Sequence, residues 1–392
     1  MKSICLIYPP QPGLREPTAY APLGLLYIAA ALEKQNIPVR VVNLAGEPEE
    51  IPEADFYGIS VLSANVPEVK HLCNLLRIQY PKSKIILGGP HCTAMRDQIF
   101  SQCQCDYVID GEGEEVLPRL VKGTILYKYG VITAPRLYDL DKLAFPARHM
   151  LDFEQVFNRT GVLIRGADIT TTIITSRGCP YHCAFCCKIR TNDGVRYRSP
   201  QNIIEELDEI HNRFECRRFR IVDDAFTVDR PRVIEICDLL KQRDYAFCCI
   251  LRADTIQDEH ILWQMKEAGI AEVSIGVESA DPILLSLMNK RETIDEIETA
   301  IRLCNKVGIQ VKAFLIEGLP GETPESILLT KAFMQRCRPD SYTLARFTPL
   351  PGSHIWNFPE KFGMNCGMIS DWFYPDDNKS EFRKWLERGD WR

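Results

Sequence analysis

The chain has 392 residues, enough for two or three domains at roughly 150 residues each. Hydrophobic residues at 45% and charged residues at 26% exclude a disordered chain, and a net charge of −6 excludes the broad basic field that grips nucleic-acid phosphates. The longest apolar stretch, Pro22 to Leu32, is shorter than the ~20 residues that span a bilayer, and Lys2 is followed by too few apolar residues before Pro9-Pro10 for a secretory signal. In chain order, Ser3–Tyr8 predicts a strand, Leu23–Gln35 a helix, Val39–Asn43 and Phe56–Val61 strands, Val69–Gln79 a helix, and Lys84–Leu87 and Tyr107–Ile109 strands. Near-continuously apolar strands with helices between them predict a parallel, doubly wound (Rossmann-like) sheet over residues 1–123. Such sheets take ligands beyond the carboxyl ends of their strands, which here carry Pro, Ser and Gly.

Residues 124–170 read as a linker, with Pro135, Pro146 and weak periodicity. A second alternation then repeats six times. Its strands are Thr171–Thr175, Arg218–Asp223, Ala246–Leu251, Glu272–Gly276, Gln310–Ile316 and Tyr342–Phe347. Its helices lie near Pro200–Phe214, Pro231–Gln242, Asp258–Ala268, Ile294–Val307 and Pro324–Cys337. Six repeats are too few for an eight-stranded barrel and suit an open partial (β/α)6 barrel over residues 171–354. Residues 355–392 form a C-terminal extension rich in Trp, Phe and Asp, with no regular fold assigned; Trp356, Trp372, Phe373, Tyr374, Trp385 and Trp391 either pack on the barrel or cap its site.

The chain holds 16 cysteines. A chain of this size builds its own core without disulfides, so clustered thiols point to metal or redox chemistry in a reducing, cytoplasmic setting. Cys179, Cys183 and Cys186 stand in a CxxxCxxC arrangement directly after the first barrel strand, in SRGCPYHCAFCCK. Three thiolates on one loop can hold three irons of a 4Fe–4S cluster and leave the fourth open to a further ligand. Zinc would want a fourth ligand, from Cys187 or His182, at a spacing foreign to zinc fingers. Cys187 reads as a spare thiol beside the loop.

This loop, with aromatic Phe185 before its third cysteine, resembles the signature of the radical S-adenosylmethionine superfamily. The resemblance covers about Thr171–Ile355. It implies that S-adenosylmethionine binds the open iron and is cleaved by one electron to a 5′-deoxyadenosyl radical that abstracts a substrate hydrogen atom. It also implies an electron donor of flavodoxin or ferredoxin type and a small-molecule or peptide substrate. The polar residues at the strand ends are then expected to hold S-adenosylmethionine. Asp223 and Asp224 resemble the DD-F pattern of one branch, with helix capping the alternative for Asp224. Arg252 offers its fork to the methionyl carboxylate or pairs with Asp254. Glu278-Ser279 resemble the family's GxES segment, and Gly318, in GLPGE, and Arg346 lie where adenine or substrate would sit. No residue is assigned a catalytic role of its own.

Residues 1–150 are similar to the cobalamin-binding domain that precedes the barrel in one branch of that superfamily. The expected cobalamin contacts are Pro9, Pro10, Ser60, Ser63, Gly88, Gly89, His91, Gly111, Glu112 and Gly113, and LDKLAFPAR at 140–148 resembles the branch's linker. The chain has no DxHxxG, so no histidine is assigned as a lower ligand, and His91 reads as a loop hydrogen-bonder. The alternative is a cobalamin-like fold that serves substrate or partner binding. The resemblance implies C-methylation of an unactivated carbon through methylcobalamin. A radical oxidation, cyclisation or rearrangement is the alternative chemistry, and a non-enzymatic metal-bearing binding module the alternative of another class.

Overall fold

The computed structural model describes residues 2–12, 16–46, 49–125, 129–161, 164, 169–187, 194–364 and 380–392. The chain divides into two compact units, Met1–Leu163 and Ile164–Arg392.

The first unit is built on strands β1 (Ile4–Tyr8), β2 (Val39–Asn43), β3 (Phe56–Ser60), β4 (Lys84–Gly88), β5 (Tyr107–Asp110) and β6 (Gly130–Thr133). They pair in the order β2-β1-β3-β4-β5-β6, every pair parallel. The order reverses at β1, so the crevice at the carboxyl ends of β1 and β3 is the topological switch point. Strands this short form because both faces are covered: Cys5, Ile7, Tyr57, Ile59, Ile85, Leu87 and Val108 are buried in one cluster with Val69, Leu72, Cys73 and Leu76 from the helix Val66–Gln79.

Two expectations change here. Gly130–Thr133, read as linker, is the sixth strand of the sheet, and the compact unit runs to Leu163 rather than ending at 123. The segment after it packs on the same unit: Leu137 N donates to Glu112 Oε2 (3.1 Å), Ala147 N to Leu26 O (3.1 Å), and His149 Nε2 bonds Glu33 (3.0 Å).

In the second unit, β7 (Thr171–Ile173), β10 (Arg218–Ile221), β11 (Ala246–Leu251), β12 (Ile270–Glu278), β13 (Gln310–Glu317) and β14 (Ser341–Arg346) form one parallel sheet in the order β14-β13-β12-β11-β10-β7. This is the expected open arrangement of six βα repeats. The helices Pro200–Phe214, Ile294–Val307 and Pro324–Cys337 begin where Ser199, Thr293 and Thr323 cap them, each side chain accepting a first-turn N–H. Between β7 and β10 a small antiparallel ladder joins β8 (Ser176–Arg177) to β9 (Arg196–Tyr197).

The extension carries a helix, Glu381–Arg388, whose Phe382, Trp385 and Leu386 are buried. Trp391 meets Tyr342 of β14 edge-on at 5.6 Å and donates from Nε1 to Leu386 O (3.2 Å). Arg383 pairs with Glu317 and reaches Leu344 O, so this helix covers the edge strand. Ile355, at the start of the extension, belongs to the barrel core with Ala184, Met288, Leu319 and Phe347. Trp372, Phe373 and Tyr374 lie outside the described residues.

Candidate active site

Cys179, Cys183 and Cys186 lie on the loop that leaves β8. The loop is fixed from several sides. Ala184 N donates to Met288 O (2.7 Å) and Ala184 O accepts from Ile355 N (3.1 Å). Asn289 Nδ2 donates to His182 O (2.8 Å), and Cys186 N closes a turn onto Cys183 O (3.1 Å). Phe185 packs against the Ala184–Met288–Phe347 core. Cys183 and Cys186 line one cavity of about 510 Å³ with Tyr181, Asn289, His354 and Phe362.

A charged network, buried in its middle, stands beside Cys183. Arg252 Nη1 is 3.9 Å from Cys183 Sγ, and its guanidinium lies 3.6 Å from the centre of the Tyr181 ring. Arg252 forks onto Asp254 (3.1 Å twice), donates to Lys290 O (2.9 Å) and stands 3.3 Å from Glu292. Lys290 Nζ pairs with Glu292 (2.9 Å) and Glu278 (3.5 Å), and Glu292 Oε1 accepts from Ala253 N (2.6 Å). Burial pushes the Cys183 thiol up, and the Lys290 and Arg252 cations pull it back down. Burial likewise raises the Glu278 carboxyl, against the pull of Lys290.

Glu278 has φ +60 at a register shift between β12 and β13, a conformation a residue with a Cβ adopts at a cost of order 1–3 kcal/mol and that clusters at functional sites. Gly276 makes room for it: a Cβ there would stand 2.4 Å from Glu278 Oε1 and 3.0 Å from Lys290 Nζ.

The donor set fits an iron–sulfur cluster. It offers three thiols on one restrained loop, two of them on a common cavity and one beside two cations that favour thiolate. Among the described residues, no three His, Cys, Asp or Glu side chains already surround a metal-sized point, the three loop cysteines included.

The other expected contacts divide. Arg252 stands beside the cysteine loop with its fork already on Asp254, which was the alternative reading. Asp224 is exposed at the mouth after β10. Asp223 is turned inward and 1% exposed. It accepts from Thr175 N (2.6 Å), Thr175 Oγ1 (2.5 Å) and Ser176 Oγ (2.6 Å) instead of facing a ligand. Ser279 is buried and caps the turn ahead, accepting from Asp281 N (3.2 Å). Gly318 and Arg346 meet at a second cavity of about 550 Å³, lined also by Glu322, Lys331, Ser380 and Phe382. Tyr181, Asn289, Lys290 and Glu292 escaped the sequence reading. The run Asn289-Lys290-Arg291-Glu292 looks like a solvated charged loop, and only its place in the connection between β12 and the helix Ile294–Val307 hinted otherwise.

In the first unit, the all-parallel order brings the loops after β1, β3, β4 and β5 to one edge of the sheet, carrying Pro9, Pro10, Ser60, Ser63, Gly88, Gly89 and Gly111. Three of the residues expected at cobalamin are engaged inside the unit. His91 is 1% exposed, its Nδ1 bonded to Ser63 Oγ (2.9 Å) and its Nε2 to Gln102 Oε1 (3.0 Å), and burial lowers its pKa. Glu112 holds Leu137 N, and Gly113 is buried where a Cβ would stand 3.1 Å from Ile28 Cδ1. Gly89 has φ +104, and a Cβ there would stand 2.9 Å from Val61 O, so the chain's own backbone already demands glycine. Ser60, Gly88 and Gly111 are half-buried at the edge, and small residues there leave room for a broad planar ligand.

Comparison with known proteins agrees with this division. The Radical SAM superfamily matches residues 173–334, and the B12 binding domain family matches residues 17–121. An uncharacterized methyltransferase of Pyrococcus horikoshii is 26% identical over 91% of this chain and 83% of its own length. The anaerobic magnesium-protoporphyrin IX monomethyl ester cyclase of Rubrivivax gelatinosus is 26% identical over 77% of this chain, which spans only 58% of that protein. The radical S-adenosylmethionine methyltransferase TsrM of Kitasatospora setae shares the fold, with a TM-score of 0.72 at 16% identity over 92% of this chain and 76% of its own. A radical SAM domain implies a 4Fe–4S cluster and S-adenosylmethionine, and a B12 binding domain implies cobalamin, so the binding-module alternative falls away. No helix among the described residues is long and apolar enough to cross a membrane. The chain is a radical S-adenosylmethionine superfamily enzyme with an N-terminal cobalamin-binding domain.

Proposed function

We propose that this enzyme methylates an unactivated carbon of its substrate. Cys179, Cys183 and Cys186 would hold the cluster. Asp224, Glu278, Gly318 and Arg346 would face S-adenosylmethionine or substrate, and the edge formed by Ser60, Gly88 and Gly111 would face cobalamin. When bound, these groups supply hydrogen-atom abstraction and a transferable methyl group. The protein's own work is positioning. The Met288–Asn289 segment fixes the cysteine loop, and Arg252 and Lys290 place positive charge beside Cys183. The observation that carries the reading is the occurrence, in one chain, of the three-thiol loop and of a B12-type sheet.

The likeness to a ring-forming cyclase keeps a second reading alive, radical cyclisation without methyl transfer. Anaerobically reconstituted enzyme, incubated with cell extract and methyl-deuterated S-adenosylmethionine, separates them. Deuterium carried into an extract metabolite supports methylation, whereas a product that has lost hydrogen and gained no label supports cyclisation or oxidation.

A further inference from the structure

We infer that Asp223 is a positioning residue for the cluster: it pins the stem of the cysteine loop and so sets where Cys179 stands. The inference rests on the reading that Cys179, Cys183 and Cys186 hold iron. Asp223 follows β10 by two residues, while its three hydrogen-bond donors lie between β7 and the first cysteine. It therefore ties two successive barrel repeats together at the point where the cysteine loop departs. Val222 N donates to Ile173 O (2.9 Å) and carries the sheet pairing up to that point.

Thr175, which Asp223 grips at its N–H and hydroxyl, is held at its carbonyl as well. Thr175 O accepts from Arg198 N (3.0 Å) and from Arg232 Nη2 (2.7 Å). Arg232 Nε donates to Arg198 O (3.2 Å), and its guanidinium lies 5.0 Å from the centre of the Tyr197 ring. Arg198 in turn pairs with buried Glu206 and donates to Ile174 O (2.8 Å). Both ends of the loop thus meet at one buried cluster. The outgoing strand, Ser176–Arg177, hangs from Asp223, and the returning strand, Arg196–Tyr197, leads into Arg198.

A buried polar cluster of this kind rigidifies the segment to the extent that its members are satisfied, and here Arg232 Nη1 is buried without a hydrogen-bond partner among the described residues. The cluster stands behind the ligand loop and acts on the thiolates through the backbone of residues 175–178. Loss of a partner that bonds a ligand directly costs about 10–100-fold in metal affinity, and this indirect hold belongs at the low end of that range. Asparagine at 223 keeps one carbonyl acceptor for Thr175 N, and the two hydroxyls can turn to accept from its amide. Alanine keeps nothing. Ser176→Ala removes one donor and leaves the carboxylate and the Thr175 bonds in place.

The test is iron titration into anaerobic apoprotein with sulfide, for wild type, Asp223→Ala, Asp223→Asn and Ser176→Ala. Electron paramagnetic resonance of the reduced cluster and far-UV circular dichroism melting accompany it. The expected result is about a tenfold weaker iron uptake in Asp223→Ala, on the scale of a lost outer-shell partner. Asp223→Asn should recover most of it. Ser176→Ala should melt like wild type yet give a shifted or broadened resonance. Wild-type uptake and resonance in both Asp223→Ala and Ser176→Ala would overturn the inference, as would uptake that falls only in proportion to lost folded protein. If wild type itself takes up no iron, the cluster reading fails and the positioning role falls with it.

Discussion

Replacing Arg252 with alanine should destabilise the second unit by about 3–5 kcal/mol, the cost of removing one partner from a buried ion pair. Arg252 is 8% exposed, so solvent screens its partners little. The substitution removes two bonds to Asp254, one to Lys290 O, the 3.3 Å approach to Glu292 and the stacking on Tyr181 at 3.6 Å. Glu292 would then keep Lys290, while Asp254 would lose the cation it pairs with. Burial works against the Arg252 charge, yet the Asp254 and Glu292 carboxylates hold its pKa above the ordinary arginine value, so charge and partners are strongly coupled. Arg252→Lys keeps the charge but not the fork or the stacked plane, and should lose about 1.5–3 kcal/mol, the worth of one hydrogen bond between charged groups. The assay is guanidinium unfolding followed by tryptophan fluorescence and far-UV circular dichroism, fitted with two transitions because the chain has two compact units. A loss below about 1 kcal/mol for Arg252→Ala, the scale of an exposed pair, would refute the reasoning. It would return Arg252 to the role expected from sequence, a free fork for the cofactor's carboxylate.

Three further outcomes are expected. Cys179→Ala, Cys183→Ala and Cys186→Ala should each abolish cluster loading, measured as iron and sulfide per chain, while Cys187→Ala should retain it; the reverse pattern for Cys186 and Cys187 would show the ligand assignment wrong. Gly111→Val, at φ +105 on the sheet edge, should lower the cobalamin retained after incubation with hydroxocobalamin and leave iron loading intact, and joint loss of both would mean general misfolding instead. Burial depresses the pKa of His91 below its ordinary 6.5, so the unfolded chain binds the proton more readily. Its contribution to stability is therefore complete above pH 6.5 and is lost as pH falls through the lower folded value. Melting of the first unit between pH 7.5 and 5.5 (roughly one unit either side of the histidine reference value) should show this fall, and His91→Gln should flatten it.

Much of the fold was legible because local and tertiary signals agree. Thr293 and Glu296 form a capping box ahead of an amphipathic run, and the helix Ile294–Val307 stands where the pattern put it. The strand Gly130–Thr133 was hidden because four residues beside Pro135 carry no period of their own; the edge of β5 recruits them. The two-residue strands β8 and β9 are likewise set by tertiary pairing. In the site, the cysteines were legible because their spacing is itself the chemistry. Asp223 was found as a residue but not in its orientation, since a carboxylate at a strand end can turn toward a ligand or toward its own chain, and only Thr175 and Ser176 decide which. Lys290 and Glu292 were missed because a run of charge looks like solvent-exposed loop, whereas here the charges neutralise one another in the interior.

The most direct test of the central claim is the product pair formed from S-adenosylmethionine. Protein reconstituted anaerobically with iron and sulfide, loaded with hydroxocobalamin and reduced, should convert S-adenosylmethionine to both 5′-deoxyadenosine and S-adenosylhomocysteine in the presence of substrate-containing extract, as read by mass spectrometry. Cys183→Ala should form no 5′-deoxyadenosine. Formation of 5′-deoxyadenosine without S-adenosylhomocysteine would contradict methyl transfer, and formation of neither product by a fully loaded enzyme would contradict the account as a whole.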